Sequence, residues 1–183
     1  TDDDLLIHLD PGKAFGTGAH ASTRLVLTAM QQAKDDGFAP RTFVDVGTGS
    51  GILAISAIKL WPNARGTAND TDPIAVSTAA ENAAKNAVGN QVECTMTLVG
   101  SLAKAYDLVA ANIRAPVLKE LSADIAARVA PGGRLFLSGL LAAEAPEVAE
   151  VYAERHGLIV DRIRPSTFDP EWSGAELRRP AEA

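Results

Sequence analysis

The sequence predicts an α/β fold around a mainly parallel sheet, and three observations predict it. Short apolar runs rich in Val, Ile, Leu and Phe alternate along the chain with longer stretches of helical periodicity. One run, Thr42-Phe43-Val44-Asp45-Val46, passes directly into the glycine turn Gly47-Thr48-Gly49-Ser50-Gly51 and then into a helical pattern from Ile52. Parallel sheets bind nucleotide-type ligands at such junctions, because the turn exposes backbone and the helix start offers unpaired N–H groups. Helical patterns cease near His156, so the last two strand candidates follow one another directly and predict an antiparallel pair at one end of the sheet.

Size and composition narrow the class. With 183 residues, 46% of them hydrophobic, residues 1–183 read as a single domain whose core needs no cross-links. A net charge of −6 argues against unaided binding to a nucleic-acid backbone. Cys94 is the single cysteine, which excludes an internal disulfide and suits a reducing cytoplasm. No apolar run is long enough to span a membrane, and Thr1-Asp2-Asp3-Asp4 lacks the charge and core of a secretion signal. The chain therefore reads as soluble and cytoplasmic.

Taken in order, Leu5–Leu9 is a short strand candidate that stops at Asp10-Pro11-Gly12. A second glycine loop, Lys13 to Thr23, carries Phe15, His20, Ser22 and Thr23, and its two hydroxyls are placed to cap a helix from about Arg24 to Ala33. Gly37 to Pro40 break the chain before the central strand. A helix from Ser50 to Leu60 buries Ile52, Ile55 and Ile58, and a weak strand, Ala64 to Asn69, delivers Asp70 to its tip. Asp72-Pro73 opens an alanine-rich helix to about Ala87, by pairing a capping acid with proline at the first helical position. Strands follow at Val92 to Leu98 and at Tyr106 to Ala111, the latter apolar enough to be buried on both faces. Then come a helix from Val117 to Val129, a turn at Pro131-Gly132-Gly133, a strand from Arg134 to Leu137, and a helix from Ala145 to His156. Strands at Leu158 to Ile163 and Trp172 to Arg178 complete the pattern.

The chemistry collects at strand ends. Gly47, Gly49 and Gly51 are spaced G-x-G-x-G, and the place of the third glycine of a dinucleotide fingerprint is taken by Ile52. Asp45 precedes the loop by two residues, where a carboxylate repels a pyrophosphate and attracts an ammonium or sulfonium. Asp70 ends the next strand, where an acid can accept both hydroxyls of a ribose. Acid, glycine turn and ribose acid together favour S-adenosylmethionine over NAD as cofactor. Asn112, a polar amide closing a buried apolar strand, needs a partner. Its carbonyl can accept a hydrogen bond from a ligand amine, or its side chain can cap the helix near Val117.

These residues resemble a known family. Asp10-Pro11-Gly12-Lys13-Ala14-Phe15-Gly16-Thr17-Gly18-Ala19-His20-Ala21-Ser22-Thr23, the Asp45–Gly51 loop, Asn69-Asp70-Thr71-Asp72-Pro73 and Ala111-Asn112-Ile113 look like the PrmA family of ribosomal protein L-eleven methyltransferases. Those enzymes are class I S-adenosylmethionine-dependent methyltransferases that modify lysine ε-amines and an N-terminal α-amine. The resemblance runs from about Leu5 to Arg179, and the first loop is its specific part. It implies a Rossmann-like sheet of seven strands in the order 3-2-1-4-5-7-6, with cofactor contacts at Thr23, Gly47, Asp70 and Asn112. Phe15, Gly16, Thr17 and Gly18 would wall the cofactor, and His20 matches the family's loop histidine. Ribosomal protein L-eleven is the implied partner, and the family's N-terminal docking domain is absent from residues 1–183. Lys13 and Arg114 stand where Leu or Met, and Leu, are usual, and both flank the site.

The mechanism implied is in-line methyl transfer to an unprotonated amine, with Asn112 accepting a hydrogen bond from that amine. A lysine amine must first lose its proton, since its ordinary pKa is about 10.4. The proton leaves through water or through His20, the loop residue whose ordinary pKa suits a base near neutrality. Competing readings are a methyltransferase for another protein or a small molecule, a non-catalytic cofactor-binding domain, and a nicotinamide oxidoreductase. His8, His20, His156 and Cys94 show no metal-ligand spacing, and Ser50 does not sit in a G-x-S-x-G elbow.

Overall fold

The computed structural model describes residues 5–10 and 18–182. The strands are β1 (Thr42–Val46), β2 (Arg65–Asn69), β3 (Val92–Thr95), β4 (Tyr106–Asn112), β5 (Val129–Leu141), β6 (Ile159–Pro165) and β7 (Trp172–Arg178). They form one sheet in the order 3-2-1-4-5-7-6, parallel except where β7 pairs antiparallel with both β5 and β6. The helices are α1 (Ala21–Asp35), α2 (Ile52–Leu60), α3 (Pro73–Lys85), α4 (Ala115–Glu120), α5 (Ser122–Ala127) and α6 (Ala145–His156).

Alternation along each strand divides the core into two layers. Val44, Val46, Val109, Leu135, Leu137 and Leu177 face one side, against α4, α5 and α6 through Leu118, Ile125, Val148 and Tyr152. Phe43, Ala68, Leu108, Ala110 and Phe136 face the other, against α1, α2 and α3 through Val26, Met30, Ile55 and Ala83. Each large side chain buried this way contributes about 1.5–3 kcal/mol by removal from water. In α2 every residue except Lys59 is buried, because α2 is covered by its neighbours as well as by the sheet.

Several local expectations are corrected. Leu5–Leu9 forms no strand: the segment is held by the side-chain amide of Asn86, just after α3, with the His8 amide donating to Asn86 Oδ1 (2.9 Å) and Asn86 Nδ2 donating to the His8 carbonyl (2.7 Å). The helix foreseen from Val117 to Val129 is two short helices that meet at Leu121. β3 stops at Thr95, three residues early. β5 begins at Val129, because Pro131-Gly132-Gly133 is accommodated as a register shift against β4 between Tyr106 and Leu108. α1 starts three residues earlier than foreseen, so Ser22 and Thr23 lie inside its first turn and the capping group is His20.

Register aligns the ends that matter. Val46 pairs with Asn69 and with Ala111, and Asn112 pairs with Ser138. Gly47, Asp70, Asn112 and Gly139 therefore lie side by side along the carboxyl edge of the sheet.

Candidate functional site

The glycine turn is clamped to its neighbour strand. The amides of Gly47 and Thr48 donate to the Asn69 carbonyl at 2.9 and 3.0 Å, and the Gly49 amide donates to Asp70 Oδ2 at 3.0 Å. Asp70 Oδ1 accepts the Asp72 amide at 3.1 Å, so this carboxylate is aimed by backbone on both sides. Gly47 holds a φ of +71°, and a Cβ there would come within 2.6 Å of Ile113 Cγ2. Only glycine lets the loop lie this close to the segment after β4.

Below the turn, Asp45 is buried to 1% exposure. Its Oδ2 accepts the Thr48 hydroxyl at 2.7 Å, and its Oδ1 has no hydrogen-bond partner. Burial pushes its pKa up to about 6, against the lowering effects of the Thr48 hydroxyl and the Ala54 backbone amide, and the nearby charge of Asp70 adds to the rise. Asn69 shows the same imbalance: its Nδ2 donates to the Thr97 carbonyl at 3.1 Å, while its buried Oδ1 is unpartnered. Two buried acceptor oxygens without donors therefore sit beside the turn.

Asn112 does not cap a helix, since α4 is preceded by Arg114 and has no side-chain cap. Its Nδ2 donates instead to Thr23 Oγ1 at 3.2 Å, which joins the end of β4 to the first turn of α1 across 89 residues of sequence. Ser138, buried in the last third of β5, adds a second tie by donating its hydroxyl to the Ser22 carbonyl at 2.9 Å. His20 caps α1: its Nδ1 accepts the Ser22 amide at 3.2 Å and lies 2.8 Å from the Ser22 hydroxyl. In a neutral ring that arrangement assigns the proton to Nε2. The ring packs edge-on against Trp172 with centroids 4.6 Å apart.

Two hollows open along this edge and share the walls Ile113 and Val117. The first, about 270 Å³, is bounded by Gly47, Asn69, Asp70, Leu98 and Asp124, and has no Lys, Arg or His among its described walls. The second, about 550 Å³, is bounded by His20, Ser22, Asn112, Arg114, Gly139 and Trp172. The first suits a ligand rich in hydrogen-bond donors or bearing a positive charge, and opposes a phosphate. The second is walled largely by apolar surface, with Asn112 next to the shared wall Ile113.

The structure thus brings Gly18, His20, Thr23, Asp45, Gly47, Gly49, Gly51, Asp70 and Asn112 to one edge. Phe15, Gly16 and Thr17 lie outside the described residues. The sequence reading assigns no site role to Asn69, Ile113, Ser138, Gly139 or Trp172. Ser138-Gly139 carries the same signal as Asn112, a polar residue and a turn former after a buried apolar run, and was legible on that ground. At Gly139 φ is +79°, and a Cβ would lie 2.8 Å from the Ile113 carbonyl oxygen. Among the described residues no group of three or more His, Cys, Asp or Glu could hold a metal, and no helix is long and apolar enough to cross a membrane.

Comparison with known proteins places the chain. The family described as Ribosomal protein L11 methyltransferase (PrmA) matches residues 1–178. A protein of that name from Geobacter metallireducens is 42% identical over 177 residues, covering 93% of this chain and 53% of the relative. One from Cupriavidus metallidurans is 48% identical over 153 residues, covering 82% and 47%. The chain spans about half the length of the curated relatives it matches. The crystal structure of a ribosomal protein L11 methylase from Lactobacillus delbrueckii subsp. bulgaricus superposes with a TM-score of 0.85 at 31% identity, covering 98% of this chain and 88% of that one. The seven-stranded sheet with helices on both faces is the Rossmann-like fold of class I methyltransferases. By the match of nearly its whole length, the chain belongs to the PrmA family.

Proposed function

We propose that this chain carries an S-adenosylmethionine-dependent protein N-methyltransferase, cytoplasmic, whose acceptor is a lysine ε-amine or the N-terminal α-amine of ribosomal protein L11. The relatives' names support the acceptor, and one observation carries the chemistry. Asn112, tied to Thr23, walls the larger, largely apolar hollow, and its chain neighbour Ile113 also walls an acid-lined hollow with no cation among its described walls. That is the arrangement needed to hold a cationic donor and an amine acceptor on either side of one amide.

The residues fit the cofactor. Gly47 leaves backbone bare where a Cβ would strike Ile113, and the unpartnered oxygens of Asp45 and Asn69 await donors. In this reading the Gly47–Gly51 turn cradles the methionine end, Asp70 accepts the ribose hydroxyls, and Asp45 balances the ammonium. Thr23 in the first turn of α1, and Gly18 ahead of that helix, close the cleft. Bound S-adenosylmethionine would supply a methyl group already activated on a sulfonium. Asn112 accepts a hydrogen bond from the acceptor amine and so directs its lone pair. Because Nδ1 of His20 is engaged in capping α1, the amine's proton is assigned to water, and His20 with Trp172 walls the acceptor hollow.

Replacement Asn112→Ala tests this. Turnover should fall far more than affinity for S-adenosylhomocysteine, measured by calorimetry. Equal losses in both would reduce Asn112 to a cofactor contact. A methyltransferase for a different amine is the second reading, favoured by Arg114 at the rim of the acceptor hollow.

A further inference from the structure

The acceptor hollow has an unusual charge balance for a site that takes a lysine. Its described walls include no carboxylate, and the titratable groups among them are His20 and Arg114. Arg114 lies exposed at the start of α4, and among the described residues no carboxylate pairs with it. Lys119 and Glu147, farther along α4 and on α6, pair with each other. A lysine entering as ammonium would meet a fixed positive charge at the rim, largely apolar walls, and no counter-charge among the described walls.

We infer that Arg114 biases the bound acceptor toward its neutral amine, adding by repulsion to a deprotonation for which the site holds no assigned base. The inference rests on the function proposed above. A cation near an amine, like desolvation, disfavours the charged form and lowers the amine's pKa. The step then balances without a protein base. The acceptor ammonium gives a proton to water, and the amine nitrogen's lone pair forms the new N–C bond. The C–S bond breaks with its electron pair passing to sulfur, and the methylated ammonium loses its second proton to solvent if another methyl is to follow. Because Arg114 is exposed, its effect is screened, and a charge a few ångströms away in near-bulk solvent is worth about half a pH unit.

The test is the pH dependence of methyl transfer to purified ribosomal protein L11, comparing the chain with Arg114→Leu and Arg114→Lys. The pH profile of kcat reports groups in the bound complex, and that of kcat/KM reports the free reactants. Arg114→Leu should move the acid limb of kcat up by about half a unit, a roughly threefold loss of kcat at neutral pH. KM should fall in parallel, because the ammonium form now binds better, and kcat/KM should hold its limb. Arg114→Lys should leave the limb in place, and high salt should move the unmodified chain's limb toward that of Arg114→Leu. Transfer with an unmoved kcat limb in Arg114→Leu overturns this inference and leaves the proposed function standing. Cofactor binding without transfer by the unmodified chain overturns the acceptor assignment and this inference with it.

Discussion

Asp45 offers a prediction whose size can be worked out. Its carboxyl is buried to 1% exposure, one oxygen has no donor, and its pKa is pushed up to about 6 from an ordinary value of 3.8. A raised carboxyl pKa means that the folded chain binds this proton more tightly than the unfolded chain does. The resulting stability is fully present below about pH 4 and is lost as the pH rises through about 6. A shift of about two units at 1.36 kcal/mol each makes the loss about 3 kcal/mol. Asp45→Asn abolishes the titration. Its amide oxygen can still accept the Thr48 hydroxyl, while its NH2 takes the place of the unpartnered oxygen at a cost of about 1–3 kcal/mol. The test is urea unfolding of both chains at a series of pH values from 4 to 8. Groups remote from Asp45 titrate alike in both, so the difference isolates position 45 and its coupling to Asp70. Asp45→Asn should gain on the unmodified chain by about 2 kcal/mol between pH 4 and 6, and the gap should level off above about pH 7. Parallel stability profiles would show that Asp45 is solvated or partnered in solution, and would remove the reason given for its attraction to a ligand ammonium.

Other expectations follow from single contacts. Gly47→Ala forces a left-handed φ on alanine, which costs about 1–2 kcal/mol, and drives a Cβ into Ile113. Affinity for S-adenosylhomocysteine should drop at least tenfold by calorimetry, and unaltered affinity would mean the ligand does not lie on this turn. Asn82 is fully buried, with Nδ2 donating to the Ser50 carbonyl at 2.9 Å and Oδ1 accepting the Asp10 amide at 3.1 Å. Asn82→Ala should cost about 2–4 kcal/mol in unfolding free energy, since it strands both partners, and a loss under 1 kcal/mol would show that water replaces it.

The fold was legible wherever local pattern and burial agree. Val44, Val109 and Leu135 lie in apolar runs that only a sheet covered on both faces explains, and α6 and β7 were bounded to the residue because proline, glycine and Trp172 mark their ends. The glycine turn, Asp70 and Asn112 were legible because each breaks an apolar run with a group that burial alone cannot satisfy. What sequence missed depends on distant partners. Leu5–Leu9 reads as a strand by composition, yet the available edge near α3 offers Asn82 and Asn86 side chains in place of a ladder. The cap of α1 was misassigned to Ser22 and Thr23 because capping depends on where the helix starts, and that start was misjudged by three residues. Trp172 and His20 are 152 residues apart by number, and nothing local to either announces that their rings meet. The Pro131-Gly132-Gly133 segment reads as a turn and is absorbed into β5, because the Gly132 amide donates to the Arg179 carbonyl and the Arg179 amide donates to the Gly133 carbonyl across the sheet's end.

The most direct test of the account is transfer of a labelled methyl group from S-adenosylmethionine to purified ribosomal protein L11, with S-adenosylhomocysteine binding to the same sample measured alongside. The account predicts cofactor binding at one site per chain, and label on lysine or N-terminal amines of the acceptor that is lost with Asn112→Ala. Binding with transfer only to some other amine would keep the cofactor site and replace the acceptor. No binding of S-adenosylhomocysteine would contradict the reading of the carboxyl edge itself.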